Sequence, residues 1–455
     1  VSSDGAGAGA VTYREALRGA LRDALAGDDR VIVLGQDVGA RGGSYGVTAG
    51  LLEEFGSGRI LDAPSSEAAI VGVAIGASMA GLRPVAELTT AAFAGLAYDQ
   101  LAHHAAPLRT LSGGRVTAPL VLRMPQSTGA RLGPVHSANV EALLHHIPGL
   151  AVWAPSTPGD AHAMLAEAIR TDDPVVVLEH TLLYDSTGPL AGDAPPASSE
   201  ARIARTGADL TIIATSRMVG VASAAAETLA LETGIEATVL DLRSLRPLDE
   251  EAIVTAGTAT GRALLVEEGP PSGGITATLS ALLPRSVAVE RVTGADTPVP
   301  YAEHLEAEAL PNAERIITAA RTLASVAAPR PATPGAPATP AAPPFTATAP
   351  LDAESLLTTH RATGTPLATL IADAIAPLLS TAVITTETDT TILGSPPPGP
   401  SPATLLLGPL SPRPTTTDGA VTIRHFAPLT LRLAPNTHAD GATLFATVRE
   451  RLAEG

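Results

Sequence analysis

Short apolar runs alternate with helix-patterned stretches over residues 10–190 and again over about 200–325, and nothing else in the sequence narrows the fold as much. The run Val31-Ile32-Val33-Leu34 reads as a buried strand, as do 119–123 and 151–154. Between them, 12–26 places Ala16, Leu17, Ala20, Leu21 and Leu25 on one face of a helix. Residues 67–79 read as a glycine-punctuated, closely packed helix. Strands apolar on both faces need cover on both sides. Intervening helices supply it, so a mostly parallel sheet in an α/β domain (1–190) is expected.

A second α/β domain is expected over 200–325, with strands at 210–214, 236–242 and 263–267 and a helix at 220–231. The boundary falls in 188–199, rich in Pro, Gly and Ser. Residues 326–350 form a Pro/Ala stretch that cannot bury a core and reads as an extended linker. The remainder, 351–455, reads as a small α+β unit with helices at 366–379 and 442–452 and strands near 404–407 and 429–433.

Composition removes several chemistries. The net charge of -17 leaves no basic patch to neutralise phosphates, so nucleic acid is not an expected partner. There are 0 cysteines, and every one of the 29 basic residues is arginine. Disulfides, thiolate ligands, Schiff-base lysines and a lipoyl-lysine on this chain are thereby excluded. The best apolar run, 68–82, is too short to span a bilayer and is broken by Gly72, Gly76 and Gly81, so no membrane span is expected. Residues 1–10 show no cationic export start, which makes the cytoplasm the expected location.

The candidate catalysts are then His, Asp, Glu and Arg. In Asp62-Ala63-Pro64-Ser65-Ser66-Glu67 a carboxylate opens an apolar helix; by itself this is also what an ordinary helix start looks like. His136 lies in Gly133-Pro134-Val135-His136-Ser137, a loop beyond a buried strand, where α/β proteins place ligands and where ordinary loop histidines also occur. Gly35-Gln36-Asp37-Val38-Gly39 and Arg41-Gly42-Gly43 lack the dinucleotide spacing and read as turns. The pairs His103-His104 and His145-His146 are adjacent, so on a helix their rings point apart, and no metal site is expected from them.

In order, Tyr13-Arg14-Glu15-Ala16-Leu17, Gly35-Gln36-Asp37-Val38-Gly39, Ser66-Glu67-Ala68-Ala69-Ile70-Val71-Gly72, Tyr98-Asp99-Gln100-Leu101, Leu111-Ser112-Gly113-Gly114 and His136-Ser137 form a string. It continues through Val152-Trp153-Ala154-Pro155-Ser156-Thr157-Pro158, Asp241-Leu242-Arg243-Ser244-Leu245-Arg246-Pro247 and Pro298-Val299-Pro300-Tyr301. This string, covering about 11–325, resembles the β subunit of 2-oxo acid dehydrogenase first components. The resemblance implies a thiamin-diphosphate pyrimidine-binding fold followed by a transketolase C-terminal domain.

It further implies that Glu67 hydrogen-bonds N1′ of the cofactor's aminopyrimidine, that Phe93 packs against that ring, and that His136 contacts substrate. Ser65 and Thr89 occupy positions beside the pyrimidine where the family carries an apolar residue and a glutamine; Gln36 stands where it carries glutamate. No Gly-Asp-Gly…Asn motif occurs, so an α-type subunit is expected to hold the diphosphate and its Mg²⁺ in an α2β2 assembly. The implied activity is formation of an active aldehyde and its transfer, as an acyl group, to a lipoyl domain or acyl carrier protein. A transketolase-like transfer of a two-carbon ketol unit from a ketose phosphate is the alternative, and a non-catalytic assembly subunit a third.

The tail is similar to the end of the second-component acyltransferase domain in 404–414, Thr417-Asp418-Gly419, Leu429-Thr430-Leu431 and Asp440-Gly441. The family's catalytic histidine position holds Asn436, which cannot act as a base; His438 is two residues on. A structural or docking role is therefore expected for it.

Overall fold

The computed structural model describes residues 9–190 and 199–326, and beyond them only the backbone of strands between 346 and 433. The chain divides into two units, Val1–Ala332 and Thr333–Gly455.

In the first unit, β1 (Ala10–Thr12) leads into α1 (Tyr13–Gly27), β2 (Val31–Gly35), α2 (Leu51–Phe55), β3 (Ile60–Asp62), α3 (Glu67–Met79) and β4 (Arg83–Glu87). A 3-10 turn (Ala91–Ala97) and a π-helical turn (Gln100–Ala105) precede α4 (Leu108–Leu111) and β5 (Val121–Gln126). Then come α5 (Glu141–His145), β6 (Ala151–Trp153), α6 (Pro158–Arg170), β7 (Val175–His180) and β8 (Thr187–Pro189). The second half opens with β9 (Arg202–Arg205), β10 (Leu210–Ala214), α7 (Arg217–Thr233), β11 (Ala237–Asp241) and β12 (Ser244–Arg246). It closes with α8 (Glu250–Thr260), β13 (Arg262–Val266), α9 (Ile275–Leu282), β14 (Ala288–Val292), α10 (Glu303–Ala309) and α11 (Ala313–Ser325).

The first sheet has the order β12-β6-β7-β5-β4-β2-β3, parallel apart from β12. The second runs β14-β13-β10-β11-β9, with only β9 antiparallel. Period-two alternation sorts the core: Val31 and Val33 of β2 pack with the α1 and α6 side, Ile32 and Leu34 with α3. Each such side chain, fully removed from water, contributes about 1.5–3 kcal/mol.

Helix α1 begins one position after the apolar pattern does, because Thr12 caps it. Glu15 N donates to Thr12 Oγ1 (3.1 Å) and Thr12 N to the Glu15 carboxylate (2.8 Å). β5 starts later than the expected 119–123 and runs on to Gln126, as Leu120 N bonds back to Ala118 O at 2.7 Å instead of joining the ladder. The histidine pair at 103–104 departs from expectation. In the wider π-turn both rings reach Asp99, His103 Nδ1 at 2.8 Å and His104 Nε2 at 3.5 Å, rather than pointing apart.

The second unit contains β15 (Thr346–Asp352), β16 (Ala382–Thr385), β17 (Thr390–Leu393), β18 (Ala403–Leu407), β19 (Ser411–Thr417) and β20 (Ala420–Leu433). Their order is β15-β20-β18-β16-β17, with β19 also on β20. Both strands expected here are present, the second as part of the longer β20. β15 begins inside the expected 326–350 linker, where prolines give way to Thr-Ala-Thr-Ala with β-compatible N–H groups. The rest of that linker up to 345, the expected helices at 366–379 and 442–452, and Asn436, His438 and Asp440 lie outside the described residues.

Candidate active site

Parallel register aligns the ends of three neighbouring strands, Asp62 opposite Gly35 and Gly35 opposite Glu87, while Glu87 lies opposite Arg123 in the middle of β5. Everything just beyond that line lies at the carboxyl edge of the sheet, where open α/β sheets bind ligands. Glu67 follows β3, Gln36 follows β2, Thr89 and Phe93 follow β4, and His136 follows β5.

Glu67 is the first residue of α3, only 9% exposed, and its carboxylate has no hydrogen-bond partner among the described residues. Its N-cap, Ser66, makes no side-chain cap. The acid sits in the first turn of α3, but no side-chain cap of that helix uses it.

Phe93 and His136 meet directly, with ring centroids 5.4 Å apart and planes inclined at 54°. Thr90 joins the two segments: its Oγ1 donates to His136 O (3.4 Å), and Phe93 N donates to Thr90 O (3.1 Å). The His136 loop turns at Gly133 (φ 73°), where a Cβ would crowd the Tyr301 ring at 3.1 Å. Thr89 Oγ1 donates to Gln36 Oε1 at 3.3 Å, so these two positions are in contact. Ser65 is exposed in the β3–α3 loop, and no hydrogen bond ties it to the others.

The loop after β2 is anchored from β3, as Gly39 N and Ala40 N donate to the Asp62 carboxylate at 2.7 and 3.0 Å. Beneath the edge, fully buried Arg123 donates to both Glu179 oxygens at 2.6 Å and to Glu87 at 2.5 Å. Tyr184 OH completes the cluster on Glu179 at 2.9 Å. Burial works against the Arg123 charge, but the Glu179 and Glu87 carboxylates more than offset it and raise the pKa. Glu87 is held above the ordinary carboxylate range by burial.

A second polar layer joins the two sheets. His180 Nδ1 accepts from Leu182 N (3.3 Å), so Nε2 donates to Glu268 at 3.0 Å, and Arg217 reaches the other Glu268 oxygen at 2.7 Å. Burial raises the Glu268 pKa, yet His180 and Arg217 bring it below the ordinary value. Nearby Glu141, bonded to Gln126 Nε2 at 3.1 Å, is pushed up to about 8 by burial and by Glu268 and Glu267. Sequence reasoning passed over both clusters. The available signal was a charge inside an apolar strand: Arg123 in Val-Leu-Arg-Met, and Glu179 in Val-Val-Val-Leu-Glu.

Among the described residues no group of three or more His, Cys, Asp or Glu is placed to hold a metal, and no helix is long and apolar enough to cross a membrane.

Two family matches set the class, thiamin-diphosphate proteins of the transketolase type. Residues 9–186 match the transketolase pyrimidine-binding domain family and 199–316 the transketolase C-terminal domain family. The mitochondrial pyruvate dehydrogenase E1 component subunit beta-1 of Arabidopsis thaliana is 41% identical over 327 residues, covering 70% of this chain and 90% of that one. The pyruvate dehydrogenase E1 component subunit beta of Rickettsia conorii is 38% identical over 318 residues, covering 68% and 97%. The chain belongs to this family, the E1 β subunits of 2-oxo acid dehydrogenase complexes. A solved split-gene transketolase, an inactive beta4 tetramer, shares the fold at a TM-score of 0.58 and 23% identity, over 69% of this chain and 98% of that one.

Proposed function

We propose that this chain supplies the pyrimidine-side half of the active site, and that an α-type subunit holding the diphosphate and Mg²⁺ supplies the other half. Glu67 is the observation that carries this reading: 9% exposed, without a partner, at the carboxyl edge of the sheet. A protonated ring nitrogen would satisfy that carboxylate. The half-buried Phe93 ring offers an apolar face beside it, with Thr89 and Ser65 on the flanking loops. Bound thiamin diphosphate supplies the electron sink for cleaving a carbon–carbon bond next to a carbonyl. Glu67 holds a proton at the pyrimidine; exposed His136, steadied by Phe93, delivers or accepts one at the substrate. The product would leave as an acyl group on a lipoyl domain, whose disulfide takes up two electrons as one sulfur accepts the acyl group and the other becomes a thiol.

Helix α3 supports the requirement for a partner. Ala69, Gly72, Val73 and Gly76 face outward along one side of it, and a Cβ added at Gly76 would meet nothing within 4 Å. Small residues on an apolar, open face let a second backbone approach closely. The face lies on the side of α3 opposite the buried Glu67, Val71 and Ala74, so a subunit packed there would press on the helix that carries Glu67. The 351–455 unit fits a structural or docking role.

The test is Glu67→Gln in the assembled complex, read as exchange of the C2 proton of bound thiamin diphosphate. Exchange should fall by about a hundredfold or more, with assembly unchanged. Undiminished exchange would remove Glu67 from the role given to it.

A further inference from the structure

The carboxyl edge of the first sheet presents a second polar group that the reading above leaves unused. Gln36 is half-buried directly after β2, and its Oε1 accepts from Thr89 Oγ1 at 3.3 Å. Its amide nitrogen has no hydrogen-bond partner among the described residues. Its side chain has one contact, and the loop that follows it has another. Asp62 fixes the following loop through Gly39 N and Ala40 N, and Thr89 fixes the amide plane. Thr89 in turn leads into Thr90, whose hydroxyl binds the His136 carbonyl (3.4 Å), and on to Phe93.

Gln36 therefore lies between the Glu67 helix and the Phe93–His136 pair. Ala63 N donates to Gly35 O at 2.9 Å on one side, and Gly35 is in register with Glu87 on the other. The neighbouring acids are engaged elsewhere: Asp62 on the loop amides, Glu87 on Arg123. What remains at the sheet edge is an uncharged N–H donor with no acceptor among the described residues.

We infer that Gln36, oriented by Thr89, receives an acceptor oxygen of the donor substrate and so selects for substrates carrying one beside the reacting carbonyl. This rests on the site proposed above. A carboxylate oxygen of a 2-oxo acid and a hydroxyl oxygen of a 2-hydroxy ketone share that chemistry, and an alkyl group lacks it. Gln36 touches substrate; Thr89 is a positioning residue that acts through Gln36.

The experiment uses the full chain assembled with its α-type partner, thiamin diphosphate and Mg²⁺, with pyruvate and hydroxyacetone as probes. Calorimetric binding of oxamate, which cannot be decarboxylated, supplies a readout free of turnover. Gln36→Leu is expected to raise KM about tenfold for the probe whose oxygen is bound, with a smaller change in kcat. Gln36→Glu keeps the shape and replaces the donor by an acceptor, so it reads the same contact if the leucine variant does not assemble. Thr89→Val should move KM in the same direction and Thr89→Ser should restore it, which a merely structural role would not produce. A change confined to pyruvate, with oxamate binding weakened in parallel, assigns the carboxylate; a change confined to hydroxyacetone assigns the hydroxyl. Unchanged KM for both probes in Gln36→Leu and Gln36→Glu overturns the inference. C2-proton exchange in the unaltered complex is measured alongside. Its absence would overturn the functional reading instead, which keeps the two failures apart.

Discussion

Glu141 shows how strongly this interior favours one protonation state. Its pKa rises from the ordinary 4.5 to about 8 because the carboxyl is buried and faces Glu268 and Glu267. Between those values the folded chain keeps a proton that the unfolded chain releases, so raising the pH favours unfolding. This one group should remove about 1.4 kcal/mol of stability per pH unit from about 4.5 to about 8, and nothing further above that. Glu141→Gln should flatten this part of the profile, leaving the variant more stable than the unaltered chain at pH 8.5. Urea unfolding at pH 6 and 8.5 checks it; an unchanged slope would mean that another group sets the dependence. Arg123 behaves differently. Its charge is matched by Glu179 and Glu87, so removing it would strand two buried acids, a loss of the kind that costs about 3–5 kcal/mol.

At the scale of elements, α3 is both core and contact surface. Ile70, Val71, Ala74 and Ile75 face the sheet, while Gly72 and Gly76 face outward. Gly76→Leu has open space in this chain, so it should leave the isolated fold intact and block assembly with an α-type partner. Sedimentation or light scattering of the mixed subunits would show it, and normal assembly would place the partner elsewhere. The α3 boundaries were legible in the sequence because an apolar helix with an acid at its first position has few alternatives; the β10 boundaries were legible as a short β-prone run, Leu-Thr-Ile-Ile-Ala. β5 was displaced because apolar content does not reveal which N–H groups are available. The π-turn was hidden because its extra residue per turn leaves no mark in composition. Glu67 and His136 stood out from their own positions in the sequence, while Phe93 and the roles expected of all three came only from the resemblance. The Gln36–Thr89 contact needed the sheet register, which brings together positions 53 apart in the chain.

The first unit is an α/β body of two large sheets and a small β1–β8 pair, the large sheets joined by β12 entering the first and by the His180–Glu268–Arg217 cluster, and a β-rich unit follows in sequence. The core clusters of the first unit are built wholly from residues before 327. A chain truncated after Arg330 should therefore fold, assemble and retain carbon–carbon cleavage, measured as product formed by the assembled complex. Loss of cleavage would give the 351–455 unit a part in the chemistry. The central claim concerns one carboxylate, and a structure of the full assembly with thiamin diphosphate bound measures it most directly. The account predicts a Glu67 carboxylate oxygen within hydrogen-bond distance, about 2.7–3.2 Å, of the pyrimidine N1′. A Glu67 side chain turned to solvent, or a pyrimidine seated on other residues, would contradict it.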